Sequence, residues 1–193
     1  MIGDVLVLLK NRLNSHFRTM VSGTSGYGEE KVFFIDSEVK TDQPPFKLDT
    51  VSILLFNVEQ EKAFRQGEPY VRLSSDGVSK KVQPDIALNL YILVSVRFKV
   101  YEQGLHYLSL VIKYFQGHNC LDHENTPELS DEIDHLIIEL FSMTVTQQNE
   151  LWGSLRTGYL PSVAYKVKAV IFQTEDTIQQ ISTSESSSSG RLL

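Results

Sequence analysis

The spacing of hydrophobic positions changes period most sharply between Pro84 and Gln116. Ile86, Leu88, Leu90, Ile92, Val94, Val96 and Phe98 alternate strictly with Ala87, Asn89, Tyr91, Leu93, Ser95, Arg97 and Lys99. A period of two kept this long predicts a β-strand with one wholly apolar face. At about 3.3 Å per residue it spans roughly 40 Å, longer than most strands. From Tyr101 the spacing shifts to fours and threes. Tyr101, Leu105, Leu108, Ile112 and Phe115 form one helical stripe, and Tyr107, Leu110, Val111 and Tyr114 form a second beside it. A helix apolar around most of its circumference needs cover on more than one side. One cover is the sheet that holds its own strand; the candidate for the other is a second chain.

Around this core the pattern predicts the remaining elements. Residues 2–20 form an amphipathic helix with Ile2, Val5, Leu6, Leu9, Leu13 and Phe17 near one face. The glycines and serines of 21–28 make a loop, residues 31–35 a strand, and Asp42 to Pro45 a break that cannot continue one. Val51 to Val58 is apolar on both faces, as a central strand would be. Residues 59–67 suit a turn or short helix ended by Gly67, and 69–82 a hairpin about Asp76-Gly77. A polar, acidic connection over 118–134 leads to a strand from Leu136 to Phe141. Thr146 is the expected N-cap of a short helix through Leu155, stopped by Gly158 with Pro161 beyond. The last strand, 162–172, sets Val163, Tyr165, Val167, Ala169 and Ile171 against Lys166 and Lys168. No internal repeat is present. The fold class is α+β: a single mixed, mostly antiparallel sheet of about five or six strands with packed helices. The strand-to-helix junction at 98–101 leaves room for one parallel pair, which makes the sheet mixed.

From Gln173 the composition turns to Thr, Ser, Gln and Glu, which divides the chain into a domain over 1–174 and a flexible Ser-rich tail over 175–193. Such a tail cannot bury enough apolar area to offset its ordering entropy. Its large apolar residues are Ile178, Ile181, Leu192 and Leu193, and its one base is Arg191. Those five are the expected contacts with a partner if the tail docks.

Composition narrows the function classes. A formal charge of −6 with no dense basic cluster argues against a nucleic-acid surface. The single cysteine, Cys120, cannot form an internal disulfide, so oxidising export is not implied. MIGDVLVLLKNRL lacks a basic n-region and a cleavage site, and the run Val5 to Leu9 is too short for a signal peptide or membrane span. The expected compartment is the cytoplasm, with no membrane partner.

Candidate chemistry is sparse. His118, Cys120 and His123, with Asp122 and Glu124, have the atom types of a zinc site. Ligands this tightly spaced rarely close a tetrahedron from one loop, and no second pair stands out, so a solvated acidic loop is the better account. Cys120 has His106, His118, His123 and His135 as conceivable bases, but no nucleophile signature surrounds it. The glycines at 23, 26 and 28 lie outside any strand-turn-helix setting, and no phosphate-binding or nucleophile-elbow motif occurs. Glu128, Asp131, Glu132 and Asp134 match a solvated charge run rather than a catalytic pair. The expectation is no enzyme, no metal and no cofactor. Trp152, the only tryptophan, is a core or interface anchor.

VSILLFNVEQEKAFRQG, IALNLYILVSVRFKVYEQGLHYLSLVIKYFQ and ELWGSLRTGYLPSVAYKVKAVIF follow one another at fitting intervals. Together they resemble the cap, or tube-terminator, proteins of extracellular contractile injection systems, the phage-tail-like particles of the antifeeding-prophage and Photorhabdus-virulence-cassette type. The resemblance covers roughly residues 2–174 and rests on N-V-E-x-E, the L-N-L-Y strand, Y-F-Q and L-W…P-S-V-x-Y-K-V. It implies a tail-terminator-like fold and a non-enzymatic protein. Such a cap forms a homohexameric ring that closes the inner tube, contacts the last sheath layer and ends polymerisation. It implies self, tube protein and sheath protein as partners, and assembly in the bacterial cytoplasm into a particle that is then released. Asn57, Asn89, Trp152, Pro161 and Tyr165 are structural on this comparison. Two other readings stand beside it: a terminator or adaptor of a contractile phage tail, and a metal-dependent enzyme using the 118–135 loop.

Overall fold

In chain order the elements are α1 (Ile2–Met20), β1 (Val32–Phe34), β2 (Thr50–Gln60), β3 (Tyr70–Leu73), β4 (Ser79–Val82), β5 (Ile86–Arg97), α2 (Tyr101–Gly117), β6 (Cys120–Asp122), β7 (Ile133–Phe141), α3 (Val145–Ser154) and β8 (Ser162–Ile171). They come from a computed structural model that describes residues 1–20, 30–35, 46–61, 70–73, 79–82 and 86–171. The long alternating stretch is β5, and it lies inside a six-stranded sheet of order β1-β2-β5-β8-β7-β6. A separate hairpin pairs β3 with β4, as the Asp76-Gly77 pattern predicts; the turn itself lies outside the described residues. The loop over 21–28, the break at 42–45 and the tail also lie outside them.

Every ladder of the main sheet is antiparallel except one. That exception is β1 against β2, at the sheet's edge, so the sheet is mixed, although its parallel pair does not involve the 98–101 junction. Residues 98–101 instead turn the chain from β5 directly into α2. A side chain of α1 holds the edge strand. The buried Asn14 carboxamide accepts from the Lys31 and Val32 amides, each at 2.9 Å, and donates to the Val32 carbonyl at 3.2 Å. A buried amide bonded in this way satisfies backbone groups that would otherwise be orphaned at the edge.

β5 is buried on both faces, so its second face is not the polar one that alternation alone implies. On one face Leu90, Ile92, Val94 and Val96 meet α1 and α2, joined by Val51, Ile53, Tyr165, Val167 and Ala169. On the other, Leu93 and Ala164 pack with Trp152 of α3 and with Phe46, 1 % exposed, from the approach to β2. The helices thus form two unequal layers about one sheet.

Several boundaries differ from the sequence expectation. Glu59 and Gln60 extend β2 instead of opening a turn, because both find partners on β5, opposite Asn89 and Leu88. The N-cap of α3 is Thr144 and not Thr146. Thr144 is three residues from Gln147, which completes a reciprocal capping box that Thr146 has no glutamine or glutamate to complete. The same helix ends at Ser154, before Gly158, and Arg156 makes the left-handed exit at φ 50°.

Candidate assembly surfaces

α2 resolves which of its two apolar stripes serves the fold. Tyr107, Leu110, Val111 and Tyr114 face the core, and Phe115 joins them. Tyr107 stacks on Phe98 at 4.9 Å and meets Phe17 edge-on at 5.1 Å; Phe115 meets Tyr165 at 4.8 Å. The first stripe, without Phe115, is turned outward. Tyr101 is 66 %, Leu105 39 % and Ile112 40 % exposed, with Leu108 half-buried between them and Val100 exposed at the helix entrance. One helix therefore carries a core face and an uncovered apolar face, which is how interaction surfaces are built.

The opposite layer has a groove of about 380 Å³ between α3 and the sheet, floored by Phe56, Tyr91, Phe141, Met143 and Leu151, with Glu59 and Glu150 beside it. Tyr91 donates to Glu59 at 2.9 Å; burial, with that carboxylate adding, pushes its phenol above its ordinary range. Lys166 and Lys168, the charged positions of β8, lie 3.6 Å from Glu61 and 2.8 Å from Glu139. Asn89 donates to Glu61 at 3.0 Å. The acids and bases of this face are thus bound to one another across the strands, an arrangement suited to fixing register. Trp152 lies beneath, against Phe46 at 5.6 Å and Tyr159 at 5.7 Å. Asn57 bonds its neighbours Val58 and Glu59, and the Pro161 carbonyl accepts from Val96. Tyr165 is 3 % exposed, and burial drives its phenol far up.

The acidic connection folds as a turn, with Glu124, Glu128, Asp131 and Glu132 exposed to solvent. It contains β6, which pairs with β7, and it buries Leu121, Thr126, Leu129 and Ile133. The Asp122 carboxylate accepts from the Glu124 and Asn125 amides, and the Asn125 carboxamide reaches the Cys120 carbonyl. Arg12 of α1 reaches the Asn125 carbonyl at 3.0 Å and Glu128 at 3.2 Å, tying the turn to the helix layer. His118 stacks on Tyr114 at 4.4 Å, and His123 lies 2.8 Å from the Ile133 carbonyl. Each ring thus has its own backbone anchor, Cys120 is exposed, and His135 pairs with Asp134. Among the described residues no group of three or more His, Cys, Asp or Glu is arranged to hold a metal ion. No described helix is long and apolar enough to cross a membrane. The tail residues Ile178, Ile181, Arg191, Leu192 and Leu193 lie outside the described residues.

Sequence pattern misses two features of this surface. Phe46 follows a proline pair and belongs to no periodic run, yet it fills the second core. The other feature is the sheet's edges. β1 covers only Val51–Ile53 of β2, and β6 covers only His135–Ile137 of β7. Edge exposure depends on which strands become neighbours, so no local signal marks it.

A curled mixed sheet with two helices on one face and one on the other, carrying a solvent-facing apolar helix stripe, defines an α+β domain. The chain belongs to the Pvc16 N-terminal domain family, whose pattern matches residues 4–184. Among solved structures it is similar to the PVC sheath/tube terminator of an extracellular contractile injection system in its extended state, with a TM-score of 0.56 at 12 % identity. That similarity covers 88 % of this chain and 57 % of the other. It is also similar to the tube-terminating cap of the anti-feeding prophage, with a TM-score of 0.52 at 14 % identity over 86 % of this chain and 54 % of that one. The chain thus spans little more than half the length of either structure. No curated protein matches the sequence significantly.

Proposed function

We propose that this protein is a structural cap of a contractile, phage-tail-like injection particle. It closes the inner tube at the end distal to the baseplate, contacts the last sheath layer and ends polymerisation, acting as a homohexameric ring. The observation that carries this reading is the family match over residues 4–184, and the likeness in fold to two terminators supports it. The outward stripe of α2 and the acid–base pairing across β2, β5, β8 and β7 suit a scaffold whose work is contact. No catalytic role is assigned to any residue. Assembly takes place in the producing cell, and the finished particle leaves it. The segment after Thr174 reaches an adjacent cap subunit or the terminal sheath layer through Ile178, Ile181, Arg191, Leu192 and Leu193.

Deleting the gene in the producing strain and imaging the particles tests the proposal. Open tube ends and sheaths of uncontrolled length are expected. Capped particles of normal length would overturn it. Truncation after Thr174 tests the tail separately: full cap occupancy with normal sheath length would show those five residues to be dispensable.

A further inference from the structure

Hydrogen-bond parity can be followed from one edge of the sheet to the other. The Val51 amide points away from β5 and donates to the Lys31 carbonyl at 2.8 Å, while Val51 itself sits opposite Val96. The Val96 amide in turn points toward β8, donating to Pro161 at 3.0 Å. Residues of β2 opposite even-numbered residues of β5 therefore turn their backbone outward. Past the bulge at Leu55–Asn57, Val58 is opposite Leu90, so its backbone points outward too. Its amide takes the Asn57 carboxamide oxygen at 2.9 Å, a bond that a strand laid against this edge replaces. At the far edge the Ile138 amide points outward to the Asn119 carbonyl at 2.7 Å, and Leu140, two residues on, repeats that orientation. Among the described residues no strand pairs with Val58 or Leu140 on their outer sides.

The two open edges fit each other. Three antiparallel ladders separate β2 from β7, so the two strands run in opposite directions. A second copy laid beside the first brings its β2 antiparallel to β7. Val58 is opposite Leu90 and Leu140 opposite Tyr165, so both side chains project on the face of α1 and α2. Both are large and apolar, and both are uncovered, at 41 % and 61 %. Direction, parity, face and chemistry agree.

We propose that β7 of one copy of this chain pairs with β2 of the next, Leu140 opposite Val58, so that the sheet continues head-to-tail from subunit to subunit. The register sets Phe141 against Asn57, and Glu139 against Glu59, of the next copy. Lys168, 2.8 Å from Glu139, offsets the like charges. A head-to-tail contact closes into a ring if its rotation divides the circle. Only that closure rests on the cap reading; the edge pairing stands on the strand geometry.

The test uses the full chain with Cys120→Ser, near its solubility limit, and a short bismaleimide. Val58→Cys with Leu140→Cys in one chain is expected to give a covalent ladder of dimer, trimer and higher species. Either cysteine alone gives only background, and a mixture of the two single variants stops at dimer. Leu140→Lys or Val58→Lys weakens association about tenfold, the factor carried by one buried contact of this size. Val58→Lys with Leu140→Glu restores it, and unchanged far-UV circular dichroism shows that each variant folds. A chain that stays monomeric, or oligomers that form without this cross-link, would overturn the pairing. Oligomers without the cross-link leave the cap reading intact, since a ring can close through another surface, whereas capped particles in the deletion strain defeat that reading alone.

Discussion

Replacing Leu105 and Ile112 of α2 with glutamate separates assembly from folding. Their side chains keep 39 % and 40 % of their surface in water. Full burial of such a side chain is worth about 1.5–3 kcal/mol, so covering the remaining two-fifths contributes about 1 kcal/mol each. Docking α2 on a partner therefore loses at least about 2 kcal/mol in the double variant, roughly thirtyfold, before any cost of desolvating two carboxylates. The isolated subunit should barely respond, because exposed substitutions usually move stability by about 0.5 kcal/mol or less. Phe115→Ala, at the core side of the helix, should do the reverse and destabilise the fold by about 3–5 kcal/mol, since its ring is 2 % exposed and packs on Tyr165. The assay pairs chemical denaturation of the purified chain with cap occupancy on imaged particles. Full occupancy with the double glutamate variant, at unchanged stability, would refute the claim that this stripe is a contact surface. So would a large loss of stability, which would mean that the stripe already serves the fold.

Thr144→Ala removes a reciprocal capping box and should cost about 1 kcal/mol, read as a lower denaturation midpoint at unchanged slope. Serine at His118, Cys120 and His123 together should leave the fold and assembly intact but cost about 1–2 kcal/mol, because His118 and His123 each anchor a backbone carbonyl. Added zinc should leave the melting temperature of the wild type unchanged, and stoichiometric bound zinc would contradict this account of the loop. His16 is held below its ordinary value of 6.5, first by burial and then by the neighbouring His118. The folded state thus binds the proton less readily than the unfolded chain, so this contribution to stability is present above 6.5 and is lost as pH falls toward the folded-state value. Melting temperatures measured between about pH 7.5 and about pH 5.5 should fall, and His16→Asn should flatten the fall; an unchanged slope would sink the assignment.

Periodic elements were legible in the sequence because their signal is local. The alternation from Ile86 and the shift at Tyr101 located β5 and α2 within a residue or two. The double stripe on α2 also marked the surface now found uncovered, although assigning Phe115 to the core stripe needed the position of Tyr165. The misses are those that depend on distant partners. β6 is three residues of ordinary polarity and exists because Leu136 and Ile137 lie beside it. The parallel pair arose at β1 because Asn14, on a helix far earlier in the chain, holds that strand. The Thr144 cap is legible, since Thr-x-x-Gln is written in the chain, whereas Thr146 has no N3 partner to complete a box.

The edge pairing and the α2 stripe act together. A sheet continued from copy to copy keeps the same face on the same side, so every α2 in the assembly faces one way. Tyr101, Leu105 and Ile112, a weak contact on one subunit, then repeat as a belt offered to a single neighbouring layer. Linked weak sites gain by effective concentration, so the belt binds far more tightly than any one helix. On the proposed cap function, such a subunit stays off a tube wall when alone and holds it when joined. Loss of the lateral contact should therefore remove caps as completely as loss of the stripe itself. Leu140→Lys, a residue remote from α2 in the sequence, should empty particle ends of caps while leaving the purified subunit as stable as before. Particles fully capped by that variant would show that α2 docks without help from the sheet edges.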